Sequence, residues 1–119
     1  MIAATLIREV LPARTGIHQL LWRTSQALTY TRRSSHLGID PATGNDRTET
    51  LTSGYFITSR ANFVSGIRRV REVRLYASTE RGVILSSIPL HIDVGSLSHK
   101  QAVLNAGFSI HPESPAPPP

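Results

Sequence analysis

The sequence predicts a small α+β protein in which short N-terminal helices precede a small antiparallel sheet that carries two short helices. Apolar residues recur at helical spacing near the N-terminus, residues 73–94 alternate with the period of a strand, and residues 98–107 carry helix-capping signals. The predicted order in the second half is strand, helix, strand, strand, helix, which is the ferredoxin-like split βαβ order. A chain of 119 residues can form one domain with one modest core.

Two amphipathic helices are predicted within the first 28 residues. The first places Ile2, Leu6 and Val10 on one face and ends at Pro12. The second begins near Thr15, a suitable N-cap. Its apolar stripe consists of Ile17, Leu20, Leu21, Thr24 and Leu28.

Residues 1–33 form a basic segment. They hold five arginines and one acidic residue, a net charge of +4, whereas residues 34–119 hold eight basic and seven acidic residues, a net charge of +1. Amphipathic segments rich in arginine and poor in acids are typical of mitochondrial targeting peptides, and the pair Arg32–Arg33 directly precedes two serines. Two structural helices packed on the sheet, or a membrane-surface helix, would also fit this pattern.

The composition indicates a soluble, intracellular protein. No run approaches eighteen apolar residues, so no transmembrane segment is predicted. Arg8 and Glu9 interrupt the apolar stretch that a secretory signal would need. The sequence does not indicate the oligomeric state.

A linker is predicted over residues 34–50, because Pro41, Gly44 and Asn45 favour turns and no apolar period is present. The predicted α+β domain, residues 51–111, begins with a strand over residues 51–59. A short helix is expected next, since Phe63, Val64 and Ile67 have three- and four-residue spacing.

A strand pair is the most regular feature of this domain. Val73, Leu75 and Ala77 alternate with polar residues, and Gly82 lies in the following turn. In the second strand the predicted apolar face consists of Ile88, Leu90, Ile92 and Val94, and the opposite face of Pro89, His91 and Asp93. Because proline cannot donate to a ladder, this strand is expected at an edge.

A short helix and a tail are predicted after the strand pair. Ser98 and Gln101 have capping-box spacing, and Gly107 is a suitable C-terminal stop. A last strand over residues 108–111 is followed by a proline-rich tail, residues 112–119, which is expected to be disordered.

The candidate binding site is a group of basic residues with a neighbouring aromatic ring. Guanidinium groups suit phosphate and carboxylate recognition, so the predicted partner is RNA or an acidic protein surface. A solvated, charged face would show the same pattern. The candidate residues are Arg68, Arg69, Arg71, Arg74 and Tyr76. We therefore expect a small non-enzymatic binding or structural accessory protein of an RNA-containing or protein assembly, without a cofactor.

Two alternatives remain open. His91, Asp93 and His99 are suitable metal ligands and would support a metal-dependent enzyme. The absence of cysteine excludes thiol nucleophiles and cysteine-based zinc sites, and no nucleophile elbow or phosphate loop is present. The second alternative is a recently arisen reading frame with little selected structure, because twelve arginines against one lysine can reflect codon composition.

Overall fold

The structure, a computed structural model, describes residues 2–12, 16–33, 38–65, 68–95 and 98–111. These residues form one six-stranded sheet and one short helix. In chain order the elements are β1 (Ala3–Leu11), β2 (Ile17–Arg33), β3 (Thr48–Ser65), β4 (Arg68–Ser78), β5 (His91–Val94), α1 (His99–Asn105) and β6 (Ser109–Ile110). The sheet has the order β5-β4-β3-β2-β1-β6 and curls into a half-barrel. All neighbours are antiparallel except β1 and β6, which are parallel.

The α+β, ferredoxin-like prediction is wrong, because the protein is mostly β, with 61% of the described residues in strands. Both predicted N-terminal helices are strands, β1 and β2. Leu20, Thr24 and Leu28 are four residues apart, and an even spacing places residues on one face of a strand as well as of a helix. Leu21 and Trp22 are adjacent and both fully buried, which is the pattern of a strand covered on both faces.

The basic segment is part of the sheet. β1 pairs with β2, and β2 pairs with β3 along most of its length. Loss of residues 1–33 would therefore remove two strands and Trp22 from the core. Of the predicted linker, residues 38–47 form a loop, whereas residues 48–50 already belong to β3, which begins at Thr48.

The helix predicted around Phe63 and Val64 is also wrong. Both residues lie in β3, where they pair with Val70 and Arg69 of β4, and Ile67 lies outside the described residues. The three- and four-residue spacing that suggested a helix carries little information over so short a run, and pairing with β4 decides the conformation.

The strand pair predicted between residues 73 and 94 is confirmed in part. β4 pairs with β5, which lies at an edge of the sheet, but β5 begins at His91, so Ile88, Pro89 and Leu90 lie outside the strand. The turn is confirmed as well: Gly82 N donates to Thr79 O at 3.0 Å, and Gly82 has a φ of +85°. The predicted face of β5 is wrong. Ile92 and Val94 are 44% and 61% exposed, whereas His91 and Asp93 lie beside Leu75 and Val73 on the covered face.

The core lies on both faces of the sheet. On the face we call the helix face, Trp22, Phe56, Val73 and Leu75 pack with Ala102 and Val103 of α1. The other face, which we call the loop face, carries Leu21 and Ile57, also fully buried. Arg8 Nη2 donates to Arg81 O at 2.7 Å on the loop face, so the connection between β4 and β5 packs there. Within the described residues, no helix has both the length and the apolar character needed to cross a membrane.

The C-terminal helix is confirmed as α1. Ser98 adopts an extended conformation and its Oγ accepts a hydrogen bond from Gln101 N at 3.1 Å, as the capping-box spacing predicts. Gly107, with a φ of +101°, follows the helix, and the predicted last strand is β6.

Replacing Ser98 with alanine is expected to lower the free energy of unfolding by about 1 kcal/mol, because the N-cap hydrogen bond is lost. Urea unfolding monitored by circular dichroism measures this change. Lys100→Ala is the control, since Lys100 is exposed on the same helix and takes no part in the cap. An equal loss in both variants would contradict a capping role for Ser98.

Candidate functional site

Three of the predicted site arginines lie on a projecting β-ribbon. The pairing of β3 with β2 ends at Ala61, and the pairing of β4 with β5 ends at Glu72. Beyond that point β3 and β4 continue together for four pairs, and in the described part of the chain no further strand flanks them. Gly95 N donates to Arg71 O at 2.8 Å at the base of this ribbon. The four pairs are Asn62↔Arg71, Phe63↔Val70, Val64↔Arg69 and Ser65↔Arg68.

We call residues 62–65 and 68–71 the basic ribbon. Their sequence contains Arg68, Arg69 and Arg71 and no acidic residue. At the usual rise per strand residue, four residue pairs make the ribbon about 13 Å long. Arg71 is exposed at its base. The ribbon therefore carries positive charge away from the body of the sheet.

Arg74 and Tyr76 are held within the sheet rather than on the ribbon. Arg74 Nε donates to Glu72 Oε1 at 2.8 Å, and the Glu72 side chain is only 9% exposed. The hydrogen bond to Glu72, and then the one to Tyr76, raises the pKa of Arg74. The charge of Arg74 is thus compensated locally, so the structure does not combine it with the three ribbon arginines.

The three proposed metal ligands are not brought together. His91 Nε2 and Asp93 Oδ1 are 2.9 Å apart and form an ion pair when His91 is protonated. His99 instead bonds to Thr58 and His18. Among the described residues, no group of three or more histidine, aspartate or glutamate side chains is arranged to hold a metal ion.

A chain of hydrogen bonds runs from the core to the surface, and we call its five residues the polar chain. Trp22 Nε1 lies 2.8 Å from Thr58 Oγ1, which lies 2.7 Å from His99 Nδ1. His99 Nε2 is 3.1 Å from His18 Nδ1, and His18 Nε2 is 2.7 Å from Glu9 Oε2. Trp22 and Thr58 are fully buried, whereas the side chains of His18 and Glu9 are 19% and 54% exposed.

The positions of the hydrogens in the polar chain follow from its two ends. The Trp22 indole can only donate, and the Glu9 carboxylate can only accept. When both imidazoles are neutral, the polar chain has four donor hydrogens for its four hydrogen bonds. Only one arrangement places one hydrogen in each bond. Thr58 then donates to His99 Nδ1, His99 Nε2 donates to His18, and His18 Nε2 donates to Glu9.

Burial keeps His99 neutral at physiological pH. Loss of solvation lowers its pKa to about 4, and the nearby charges of His18 and Arg60 act in the same direction. A neutral His99 is the form that the hydrogen count requires.

The polar chain is not arranged for nucleophilic catalysis. The Thr58 hydroxyl contacts a histidine, as the nucleophile of a catalytic triad does. Its side chain is fully buried, however, and cannot reach a substrate. Both nitrogens of His18 and of His99 are already engaged in hydrogen bonds. Instead, the hydrogen bonds of the polar chain connect α1 to β1, β2 and β3.

Sequence reasoning missed most of the polar chain. Only His99 was singled out, as a metal ligand, because His18 lies 81 residues away in the sequence. The alternation of Leu20, Trp22 and Thr24 would place His18 on the same strand face, but that signal depends on recognising β2 as a strand.

Comparisons with family models, with curated proteins and with solved structures give no match. The function therefore has to be inferred from the geometry of the chain itself.

Proposed function

We propose that this protein is a small, non-enzymatic accessory protein that binds the phosphate backbone of a nucleic acid in an RNA-containing assembly. The observation that carries the proposal is the basic ribbon, in which three arginines and no acidic residue lie on a projecting pair of strands. A projecting ribbon can contact a partner without disturbing the core, because both faces of the sheet are already covered.

The residue type favours phosphate over other anions. The planar guanidinium group of arginine donates two parallel hydrogen bonds to a phosphate, which a lysine ammonium group does not. A two-stranded ribbon is also narrow enough to lie against a groove or along a backbone. The segment contains the three arginines Arg68, Arg69 and Arg71 and no aspartate or glutamate.

The structure favours recognition by charge over recognition of bases. Among the aromatic residues whose side chains are described, none is exposed. Trp22 and Phe56 are buried, and Tyr76 bonds to Arg74. Stacking of bases on aromatic rings requires exposed rings. Binding is therefore expected to depend strongly on salt and weakly on nucleotide sequence.

Replacing Arg68, Arg69 and Arg71 together with glutamine is expected to weaken binding to RNA at least tenfold in low salt. The slope of log affinity against log salt should fall by roughly 2, because three phosphate contacts are lost. Fluorescence anisotropy with a labelled mixed-sequence RNA, measured between low and physiological salt, gives both values.

The matched control replaces three exposed arginines that lie off the ribbon, Arg23, Arg47 and Arg81, with glutamine. Both triple variants reduce the net charge from +5 to +2 by the loss of three arginines. Equal losses in both would show that overall charge, not the ribbon, determines binding. Affinity that is the same in low and high salt would contradict the proposal, and tighter binding to polyglutamate than to RNA would identify an acidic protein as the partner.

A further inference from the structure

The polar chain links three strands of the sheet to the only helix in the described residues. Glu9 lies on β1, Trp22 and His18 on β2, Thr58 on β3 and His99 on α1. We propose that protonation of the His18–His99 pair detaches α1 from the helix face of the sheet. The chain would thereby act as a pH-sensitive attachment for this helix.

A proton on His18 would reverse the direction of the chain. A protonated His18 donates from both ring nitrogens, so His99 Nε2 must accept and its hydrogen must move to Nδ1. His99 then donates to Thr58 Oγ1, which already accepts from Trp22. The Thr58 hydroxyl hydrogen loses its acceptor inside the core, and an unsatisfied buried hydroxyl is unfavourable.

A second proton breaks the link between the helix and the sheet. With both imidazoles charged, two N–H groups face each other across the contact between His99 Nε2 and His18 Nδ1, which are 3.1 Å apart. The rings also lie close, with centroids 4.7 Å apart. Two like charges at this distance repel, and neither nitrogen can accept a hydrogen bond.

The surrounding positive charges act in the same direction. Arg60 pairs with His18 across β2 and β3, and its charge lowers the pKa of His99. Lys100 follows His99 on α1 and is exposed. The negative charge of Glu9 opposes these positive charges, because Glu9 pairs with His18. The His91–Asp93 pair lies on the same face on β5, so it has to be tested separately.

The pH range follows from the protonation of His99. Its pKa is about 4 when α1 is attached and returns towards 6.5 when the helix is free in solvent. The detached form thus binds more protons between these values, so attachment is complete above pH 6.5 and weakens as the pH falls towards 4. From pH 7.5 to pH 5, the detached population should rise on the order of 30-fold.

The direct test is amide hydrogen exchange on the unmodified protein, measured by NMR at pH 7.5 and at pH 5. Protection factors of the α1 amides of Ala102 and Ala106, which bond to Ser98 O and Ala102 O, should fall on the order of 30-fold. Protection of Trp22 and Phe56 amides in the centre of the sheet should change much less. Equal loss in helix and sheet would mean global unfolding and would overturn the proposal.

Two variants identify the groups that titrate. His99→Gln can still accept from Thr58 and donate to His18 but cannot be protonated, so the fall in its α1 protection between the two pH values should be much smaller than in the unmodified protein. His91→Gln, the control, should keep the pH response of the unmodified protein. A response of undiminished size in His99→Gln, or its disappearance in His91→Gln, would overturn the proposal. If His99→Gln does not fold, the exchange pattern of the unmodified protein decides.

Discussion

Replacing Phe56 with alanine is expected to lower the free energy of unfolding by about 3–5 kcal/mol, which is a large part of the stability of a domain of this size. Phe56 is fully buried at the centre of the helix face. Its ring lies 6.1 Å from the Trp22 ring and 5.0 Å from the Phe108 ring, measured between centroids, and is nearly parallel to both. The loss of the ring would leave a cavity bounded by β2, β3 and the segment before β6. Chemical unfolding monitored by Trp22 fluorescence measures the change.

The control for Phe56 is Ile92→Ala. Ile92 is 44% exposed on β5, so its truncation should change the stability by less than about 1 kcal/mol. A broad, noncooperative melt of the unmodified protein, unaffected by Phe56→Ala, would contradict a packed core. That outcome would support the alternative of a chain with little selected structure.

Replacing Thr58 with valine is expected to cost about 2–5 kcal/mol, although the two side chains have nearly the same shape. Thr58 Oγ1 is the partner of both Trp22 Nε1 and His99 Nδ1. Valine removes that oxygen and leaves two polar groups, both in buried residues, without a partner. Thermal unfolding by calorimetry measures the loss.

The matched control is Thr50→Val on the same strand. Thr50 is exposed, so the same substitution there should be neutral or slightly stabilising. If Thr58→Val were as stable as Thr50→Val, the polar chain would contribute little to the attachment of α1. Both substitutions replace a threonine in β3 with a valine of nearly the same shape. The difference between the two variants therefore measures the contribution of the Thr58 hydroxyl group.

The parts of the fold that were predicted correctly depend on local chemistry. The cap of α1 needs only Ser98 and Gln101, which are three residues apart, and the turn after β4 needs only a glycine with positive φ at position 82. The alternation in β4 was visible because the buried residues Val73, Leu75 and Ala77 are separated by the half-buried residues Arg74 and Tyr76. Such signals do not depend on the remainder of the chain.

The parts that were predicted wrongly depend on pairing between distant segments. β1 and β2 carry apolar residues at four-residue intervals, which suit a helix and a strand equally. The choice between them is made by the pairing of β2 with β3, for example Trp22 with Phe56. The inward position of His91 and Asp93 is likewise set by the register against β4.

The candidate site was also predicted correctly only in part. A concentration of arginines between residues 68 and 74 was visible in the sequence, but the separate position of Arg74 was not. Its partner Glu72 is only two residues away, and alternation in β4 places both on one strand face. Recognition of the full strand from Arg68 to Ser78 would have placed Glu72 beside Arg74.

The parallel pairing of β1 with β6 has a consequence for the order in which the protein can fold during synthesis. Ala3 and Ala4 are aligned with Ser109 and Ile110, so the first and last strands of the sheet are neighbours. Until residues 109–110 have left the ribosome, the start of β1 at Ala3 and Ala4 presents an unpaired edge to the cell, and an unpaired edge invites association with other chains. Nascent chains that stall before β6 are therefore the species from which aggregation during translation is expected to begin.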